Sequence, residues 1–239
     1  MRHFALLVHL YGMAVINTEK EESMSVHPTS TIGRAIRRVA IPAVIGVLAL
    51  ASVGGPATAR TTIDPSTLNP APPDFFNAQC YAGAGGTVCT LAFSDDPFFG
   101  EPSGIVCDGT ELLISQERSV VGKRFYDADG DLLQRHFREY MGGTLTNPDT
   151  HGSVPWSQHD TIIHDLSVPG DLDSGSTKIT GLMTRALAPG GGTILVDAGT
   201  IVEDTGTGEL LQAGGPHPFR DYFVGGDASA LQAICDAVD

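Results

Sequence analysis

Basic residues are scarce in this chain. Its 239 residues include 14 Lys and Arg against 28 Asp and Glu, which gives a formal net charge of −14 at pH 7. Such an excess of negative charge repels nucleic-acid phosphates and anionic lipids unless a basic patch offsets it, and the sequence contains no such patch. The composition therefore predicts that nucleic acid is not a partner.

Motifs of several enzyme classes are missing as well. The sequence has no G-x-S-x-G nucleophile turn and no G-x-x-x-x-G-K-[ST] phosphate loop. The glycine-rich stretch that begins at Gly83 ends at Val88, where a dinucleotide-binding fingerprint needs Gly or Ala. No C-x-x-C pair is present to bind zinc. The sequence thus predicts no cofactor and favours a protein that is not an enzyme.

Cysteines are few but even in number. Four paired cysteines in an exported protein form two disulfides, with three connectivities open, and leave no free thiol for catalysis. The four are Cys80, Cys89, Cys107 and Cys235.

Long hydrophobic runs are limited to one near the N-terminus. A basic segment (residues 34–38) precedes an apolar run (residues 39–53), and small residues follow up to Ala59, which is the layout of a signal peptide. The run is shorter than the ~20 residues of a membrane-spanning helix. Acidic residues upstream do not fit this layout, so Met24 is the predicted start. An uncleaved anchor is the alternative; cleavage near Ala59 gives a secreted, extracellular or cell-envelope protein.

The chain is predicted to have three parts. Residues 1–59 are an N-terminal extension with the signal peptide, and residues 80–239 are a single domain. Between them, residues 60–79 are rich in Pro, Thr and Asn. Such a segment cannot bury enough apolar area to offset the entropy of ordering it, so it is predicted to be a mobile tether.

Short apolar runs separated by turn residues predict a β-rich domain. Asp-Gly and Gly-rich stretches, such as residues 127–130 and 189–192, are typical of tight turns between antiparallel strands. The predicted strands are Val88–Phe93, Glu111–Ser115, Ser119–Tyr126, Asp131–Thr146, Ser157–Leu166, Thr177–Leu187, Thr193–Glu203 and Glu209–Ala213.

One helix is predicted, at the C-terminus. Asp227 is its expected N-cap, and four apolar positions share one face, namely Leu231, Ile234, Cys235 and Val238. The predicted fold class is therefore all-β, with an antiparallel meander that forms a small barrel or sandwich and a short C-terminal helix.

Alternation along the strand from Leu132 predicts two unlike faces. Leu133, Phe137, Met141 and Leu145 are expected on the apolar face. The opposite face is expected to carry the polar residues Gln134, His136, Arg138, Tyr140 and Thr144. Whether the polar face meets solvent or a polar interior is left open by this pattern.

Three stretches, residues 125–132, 143–150 and 191–199, resemble a group of uncharacterised secreted proteins of high-GC Gram-positive bacteria. Proteins of this group share a signal peptide, a β-meander and a cysteine in a C-terminal helix. The resemblance covers residues 107–239 and implies a Cys107–Cys235 pairing. It implies no activity and no catalytic residue.

The most suggestive polar cluster lies around residues 159–165. Alternation places Asp160 and His164 on the same strand face, with His136 on a neighbouring strand. These three residues could form a His/carboxylate metal site or an acid–base pair. The alternative is that they are polar pairs on a half-exposed sheet face.

Two other acidic motifs predict turns rather than chemistry. The stretch that begins at Asp127 has Leu132 and Arg138 where a calcium loop needs Gly and Glu. The triplets at residues 173–175 and 204–206 are too close in sequence to come from the two lobes of an aspartic protease.

These observations favour a secreted, non-enzymatic β domain that binds a small apolar or amphipathic ligand or a cell-envelope partner. One alternative is a small-barrel enzyme, an isomerase, cyclase or hydrolase, that uses His136, Asp160 and His164. The other is a purely structural envelope protein. The oligomeric state is not predicted.

Overall fold

The computed structural model describes residues 60–239. The predicted signal peptide and the predicted start at Met24 lie outside the described residues. Within residues 60–239, no helix is long and apolar enough to cross a membrane.

The described part of the chain is built on one antiparallel sheet of ten strands. Their bounds are β1 Thr62–Ile63, β2 Gln79–Gly83, β3 Gly86–Ser94, β4 Phe98–Cys107, β5 Thr110–Tyr126, β6 Leu132–Thr146, β7 Ser153–Asp165, β8 Ser176–Leu187, β9 Thr193–Asp204 and β10 Leu210–Gly214.

The strand order follows the sequence, with one exception. The order is β1-β2-β3-β5-β6-β7-β8-β9-β10, while β4 pairs with the first half of β5 and β3 with its second half. Strand β5 is therefore continuous through residues 116–118, which the sequence predicted to separate two strands. The antiparallel meander is confirmed, and β1, β2 and β4 were not predicted.

Side chains of the turns hold the hairpins closed, as predicted. Asp127 accepts hydrogen bonds from the backbone N–H groups of Asp129 and Asp131 at 2.9 Å, and Gly130 adopts a φ of 90°. Asn147 and Asp204 accept equivalent bonds in the turns after β6 and β9. Carboxylate and amide oxygens that satisfy turn N–H groups in this way fix the register of the strands that follow.

One face of the sheet is buried along most strands. This inner face carries Val120, Phe137, Ile162, Ile179 and Ile201, which belong to one apolar cluster. Among residues 60–239, Phe76 is the one buried member of this cluster that does not lie on a strand. Strands β1 and β10 are the two edges of this open sheet, and burial of one face fits a sandwich or barrel in which a twisted sheet curls over its inner face.

The predicted tether is not free. Residues 62–63 pair with β2, and two short 3₁₀ turns follow at Pro65–Thr67 and Asp74–Phe76. Leu68 and Phe76 are buried against the sheet. The segment is therefore not a mobile tether, because strand pairing, backbone hydrogen bonds of Asn69 and the burial of these two side chains together hold it against the sheet.

Two short helices close the chain, α1 (Pro218–Phe223) and α2 (Gln232–Val238). The predicted C-terminal helix is confirmed, although its first turn, Ala228–Leu231, is 3₁₀ and is the part that Asp227 caps. Leu231, Ile234 and Val238 are fully buried in an apolar cluster with Trp156 and Leu195. Helix α1 was not predicted from the sequence.

Both disulfides are formed within the described residues. Cys80 and Cys89 face each other across the β2–β3 hairpin, and Cys107 at the end of β4 is bonded to Cys235 in α2. The pairing that the resemblance implied is confirmed, and two disulfides fit an extracellular protein.

Candidate functional site

A layer of polar side chains crosses the inner face of the sheet. It consists of Arg118 on β5, Glu139 on β6, and Gln158 and Asp160 on β7, each at most 8 % exposed. We call these four residues the polar layer. Charged and amide side chains at this depth are unusual and normally have a specific partner or a specific task.

An ion pair forms one side of the polar layer. Arg118 donates from Nη2 to Oε1 of Glu139, and its Nη1 lies 3.5 Å from the carboxylate of Asp95, which is partly exposed. The Arg118 guanidinium also lies 5.4 Å from the ring centre of Phe93. Burial raises the pKa of Glu139, and Arg118 opposes that rise.

Asp160 lies directly opposite Glu139 in the β6–β7 ladder. Its carboxylate accepts a hydrogen bond from Nε2 of Gln158 at 2.7 Å. Burial raises the pKa of Asp160 to about 7, and the nearby Glu139 carboxyl adds to the rise, while Gln158 and Arg118 oppose it. A carboxyl group with a pKa near neutral can both accept and donate a proton under physiological conditions.

Several buried polar atoms in and beside this layer have no hydrogen-bond partner among residues 60–239. They are Nε of Arg118, Oε2 of Glu139, Oε1 of Gln158, Oδ1 of Asp160 and, two residues before Gln158, Nε1 of Trp156. Buried polar groups are nearly always satisfied, so such a group needs an explanation. Donors and acceptors are both present, which suits a small molecule with a hydroxyl, amide or carboxyl group.

A second polar cluster lies nearer the other end of the same strands. Arg124 on β5 and Arg135 on β6 stand directly opposite each other, and both are buried. We call them the arginine pair. His164 on β7 is the next residue across the inner face, opposite Arg135 in the ladder.

His164 is neutral and has both ring nitrogens occupied. Its Nδ1 accepts from Nε of Arg135 at 3.0 Å and also from Nη2, while its Nε2 donates to the carbonyl oxygen of Ser174 at 3.0 Å. Burial lowers the pKa of His164 to about 4, and the charge of Arg135 adds to that effect. With Nδ1 used as an acceptor, this imidazole has no lone pair left for a metal ion.

The structure does not bring the three predicted site residues together. Asp160 and His164 share the inner face, as alternation predicted, but four residues along a strand correspond to about 13 Å. His136 lies on the opposite, outer face, where its ring packs edge-on against Phe125. Among residues 60–239, no group of three His, Cys, Asp or Glu side chains could hold a metal ion.

The aromatic-rich stretch before α2 is fixed to the sheet by a buried pair. Asp197 on β9 is fully buried, and its carboxylate contacts Nδ1 of His217 at 3.0 Å and the backbone N–H of Phe219 at 3.2 Å. Burial raises the pKa of Asp197, and His217 opposes the rise. These contacts therefore attach the start of α1 to β9.

A pocket of about 440 Å³ lies on the outer side of strands β3, β5, β6 and β7. Its polar lining includes Lys123, His136, Arg138 and Thr161. His136 and Arg138 were both predicted on the polar face, and the structure places them there. The lining lacks the acidic partners that a His-based acid–base or metal site would need.

Most of the polar layer and both members of the arginine pair were not predicted from the sequence. Arg135 and Glu139 are each two residues from Phe137, and Glu139 is two residues from Met141. Because side chains two residues apart lie on the same face of a strand, this spacing indicates that both charged side chains point inward. The same rule applied to β5 places Arg118 and Arg124 in phase with Leu112, Ile114 and Val120.

No protein-family model, curated protein or solved structure matches the chain. The site's own geometry therefore carries the functional argument.

Proposed function

We propose that this chain is a secreted protein that binds a small amphipathic ligand inside its curled sheet. The polar layer holds the ligand's polar group, and the apolar inner face holds the rest. The observation that carries this proposal is the set of unpartnered donors and acceptors around Glu139, Gln158 and Asp160. Such atoms cost free energy when left unpaired, and a ligand with a donor and an acceptor satisfies them.

Trp156 offers a direct reporter of this site. It is the only tryptophan in the chain, it is 5 % exposed, and its Nε1 is one of the unpartnered donors beside Gln158. A hydrogen bond to the indole, or displacement of its neighbours, alters its emission. The tryptophan emission of the whole protein, excited selectively over its tyrosines, therefore reports on one side chain next to the polar layer.

The test is a titration of the full secreted protein with octanol, octanamide and octanoic acid while Trp156 emission is followed. We expect a saturable change with at least one probe. We also expect binding of that probe to the Gln158→Leu variant to be at least about tenfold weaker, equivalent to one lost hydrogen-bonding group or about 1.4 kcal/mol.

Gln134→Leu is the matched control, because Gln134 carries the same side chain on the outer face of β6, where it binds Asp165. This variant should bind as the wild type does. Absence of a saturable change with all three probes, or equal affinity in the Gln158→Leu variant, would contradict the proposal. Native mass spectrometry of protein purified from the culture fluid gives the mass of the natural ligand.

A second function is favoured by one observation, the placement of Asp160 opposite Glu139 with a pKa near neutrality. In this alternative the protein is an isomerase or cyclase, and Asp160 moves a proton on the bound molecule while Arg118 and Glu139 stabilise the charge that develops. It does not use His136 or His164, since the structure separates them from Asp160.

The protonation of Asp160 can be measured through stability. Burial raises its folded pKa from 3.8 to about 7, so the folded state holds this proton more tightly than the unfolded chain does. The stabilisation that this bound proton provides is therefore complete below pH 3.8 and is lost as the pH rises through about 7. The free energy of unfolding falls by up to about 1.4 kcal/mol per pH unit over this range. The Asp160→Asn variant should lack this loss.

Unfolding free energies of the wild type and the Asp160→Asn variant, measured by urea denaturation across that pH range, check this expectation. The difference between the two proteins is the quantity that matters, because other carboxyl groups titrate in both. If the difference does not change with pH, Asp160 ionises like an ordinary carboxyl group and the acid–base alternative is wrong.

A further inference from the structure

The arginine pair has few negative partners. Arg124 donates to the carbonyl oxygen of Ala71 at 3.3 Å, interacts with the Tyr126 hydroxyl, and lies 5.9 Å from the ring centre of Phe76. Arg135 donates to the neutral ring of His164. None of these direct partners is an anion, so two neighbouring positive charges are held in the interior largely by neutral groups.

Two exposed acids act on this cluster: Asp165 on His164, and Asp173, in the loop between β7 and β8, on both His164 and Arg135. The charge of Asp173 attracts Arg135, but Asp173 is exposed, so solvent and salt weaken the attraction. Exposed carboxylates that form no ion pair with either arginine do not balance two buried guanidinium groups. Burial lowers the pKa of Arg135 to about 9, and repulsion from Arg124 adds to the effect.

Each guanidinium also keeps one donor without a partner in the described part of the chain, Nε of Arg124 and Nη1 of Arg135. Arg124 is 4 % exposed and Arg135 is 1 % exposed. Planar guanidinium groups bind carboxylate and phosphate oxygens through paired hydrogen bonds, and a buried cation without a counter-ion is costly. A ligand with anionic oxygens would therefore satisfy the unpartnered donors and also balance the positive charge.

We propose that the arginine pair is an oxyanion-binding site that takes a carboxylate or a phosphate-like group between Arg124 and Arg135. The site goes beyond the proposed ligand-binding function, because Arg135 and Glu139 are four residues apart on β6, or about 13 Å. Ala71 is exposed, which places the Arg124 end of the site close to the surface. The bound oxyanion is either the acidic end of an organic molecule or a free inorganic ion.

The test compares the melting temperature of the full secreted protein in sodium acetate, sodium phosphate and sodium chloride at equal ionic strength. We expect acetate or phosphate to raise the melting temperature above that in chloride, by about 5 °C or more at about a hundredfold excess over the dissociation constant. Stabilisation by acetate alone identifies a carboxylate ligand, and stabilisation by phosphate alone identifies a phosphate-like one.

The Arg135→Gln variant should lose this anion-specific rise. Arg138→Gln is the matched control, since Arg138 lies on the outer face of the same strand and is exposed. A rise that is equal in wild type, Arg135→Gln and Arg138→Gln reflects general salt effects and overturns the proposal.

A crystallographic measurement keeps the proposal testable if the Arg135→Gln variant does not fold. Wild-type crystals soaked in sodium selenate should show an anomalous selenium peak within hydrogen-bonding distance of Nε of Arg124 and Nη1 of Arg135. A soaked crystal with no selenium peak between these two side chains, together with identical melting temperatures in the three salts, overturns it.

Discussion

Replacing both Cys107 and Cys235 by alanine should lower the free energy of unfolding by about 5 kcal/mol. The bridge joins residues that are 128 apart in sequence, and the chain-entropy relation gives about this value for a loop of that length. A loss of this size is comparable to the whole stability of many domains, so the variant should be largely unfolded near 37 °C. Urea denaturation under non-reducing conditions measures it.

The second disulfide provides an internal control. Cys80 and Cys89 are only 9 residues apart, so alanine substitution of both should cost about 2.5 kcal/mol, roughly half as much. The long bridge also has a local effect, because it attaches α2 to the end of β4. Amide exchange in α2 should accelerate more in the Cys107/Cys235 variant than in the Cys80/Cys89 variant. A smaller loss for the long bridge than for the short one would contradict the argument.

The hairpins from β5 to β10 were predictable because turn residues and alternation act locally. Asp127 and Asn147 satisfy backbone groups within four residues of themselves, so their sequence neighbours suffice to place the turns. Strand β4 was missed because it pairs with β5 only across irregular register shifts. Its burial pattern does not alternate along its first half, which leaves no period for the sequence to show.

Leu133 shows how one irregularity defeats a correct rule. Strict alternation placed it on the apolar face with Phe137, but it is 39 % exposed, and Leu132 is fully buried instead. The register shifts between Phe125 and Tyr126 on the neighbouring strand, which changes the phase at the start of β6. Short-range patterns cannot show such a bulge, because its position depends on pairing with another strand.

The candidate site was harder to predict than the fold for a different reason. Asp160 was chosen for its His neighbours, whereas its actual partners, Glu139 and Gln158, are set by the register of β6 against β7 and by a same-face neighbour. His136 lies on the adjacent strand but on the opposite face, as its alternation with Phe137 indicates, so adjacency of the strands alone does not bring it to Asp160. Two side chains meet only if they lie on the same face of the sheet and if the register brings their positions together. The periodicity of the sequence predicts the face, but it does not predict the register.

Glu139→Gln should lower the free energy of unfolding by about 3–5 kcal/mol. It removes the buried carboxylate that is ion-paired with Arg118, and the other ion-pair partner, Asp95, has a side chain that is 44 % exposed. Breaking a buried ion pair from one side leaves an uncompensated charge, which costs far more than the pair contributes. The pKa of Asp160 should fall in the same variant, because the Glu139 carboxyl is one of the groups that raise it.

Replacing both partners together should have a much smaller effect on stability. In the Arg118→Met/Glu139→Leu double variant the buried charges are exchanged for apolar side chains, a change that is often neutral or stabilising. Glu203→Gln serves as the control for a single charge removal, since Glu203 pairs with Arg220 near the edge of the sheet, where both side chains are more exposed, and it should cost less than Glu139→Gln. If the double variant is as stable as the wild type but no longer changes Trp156 emission with the amphipathic probes, the ion pair serves binding rather than folding. If the double variant is less stable than Glu139→Gln, the ion pair stabilises the fold itself. That result would contradict the proposal that the ion pair is retained for ligand binding.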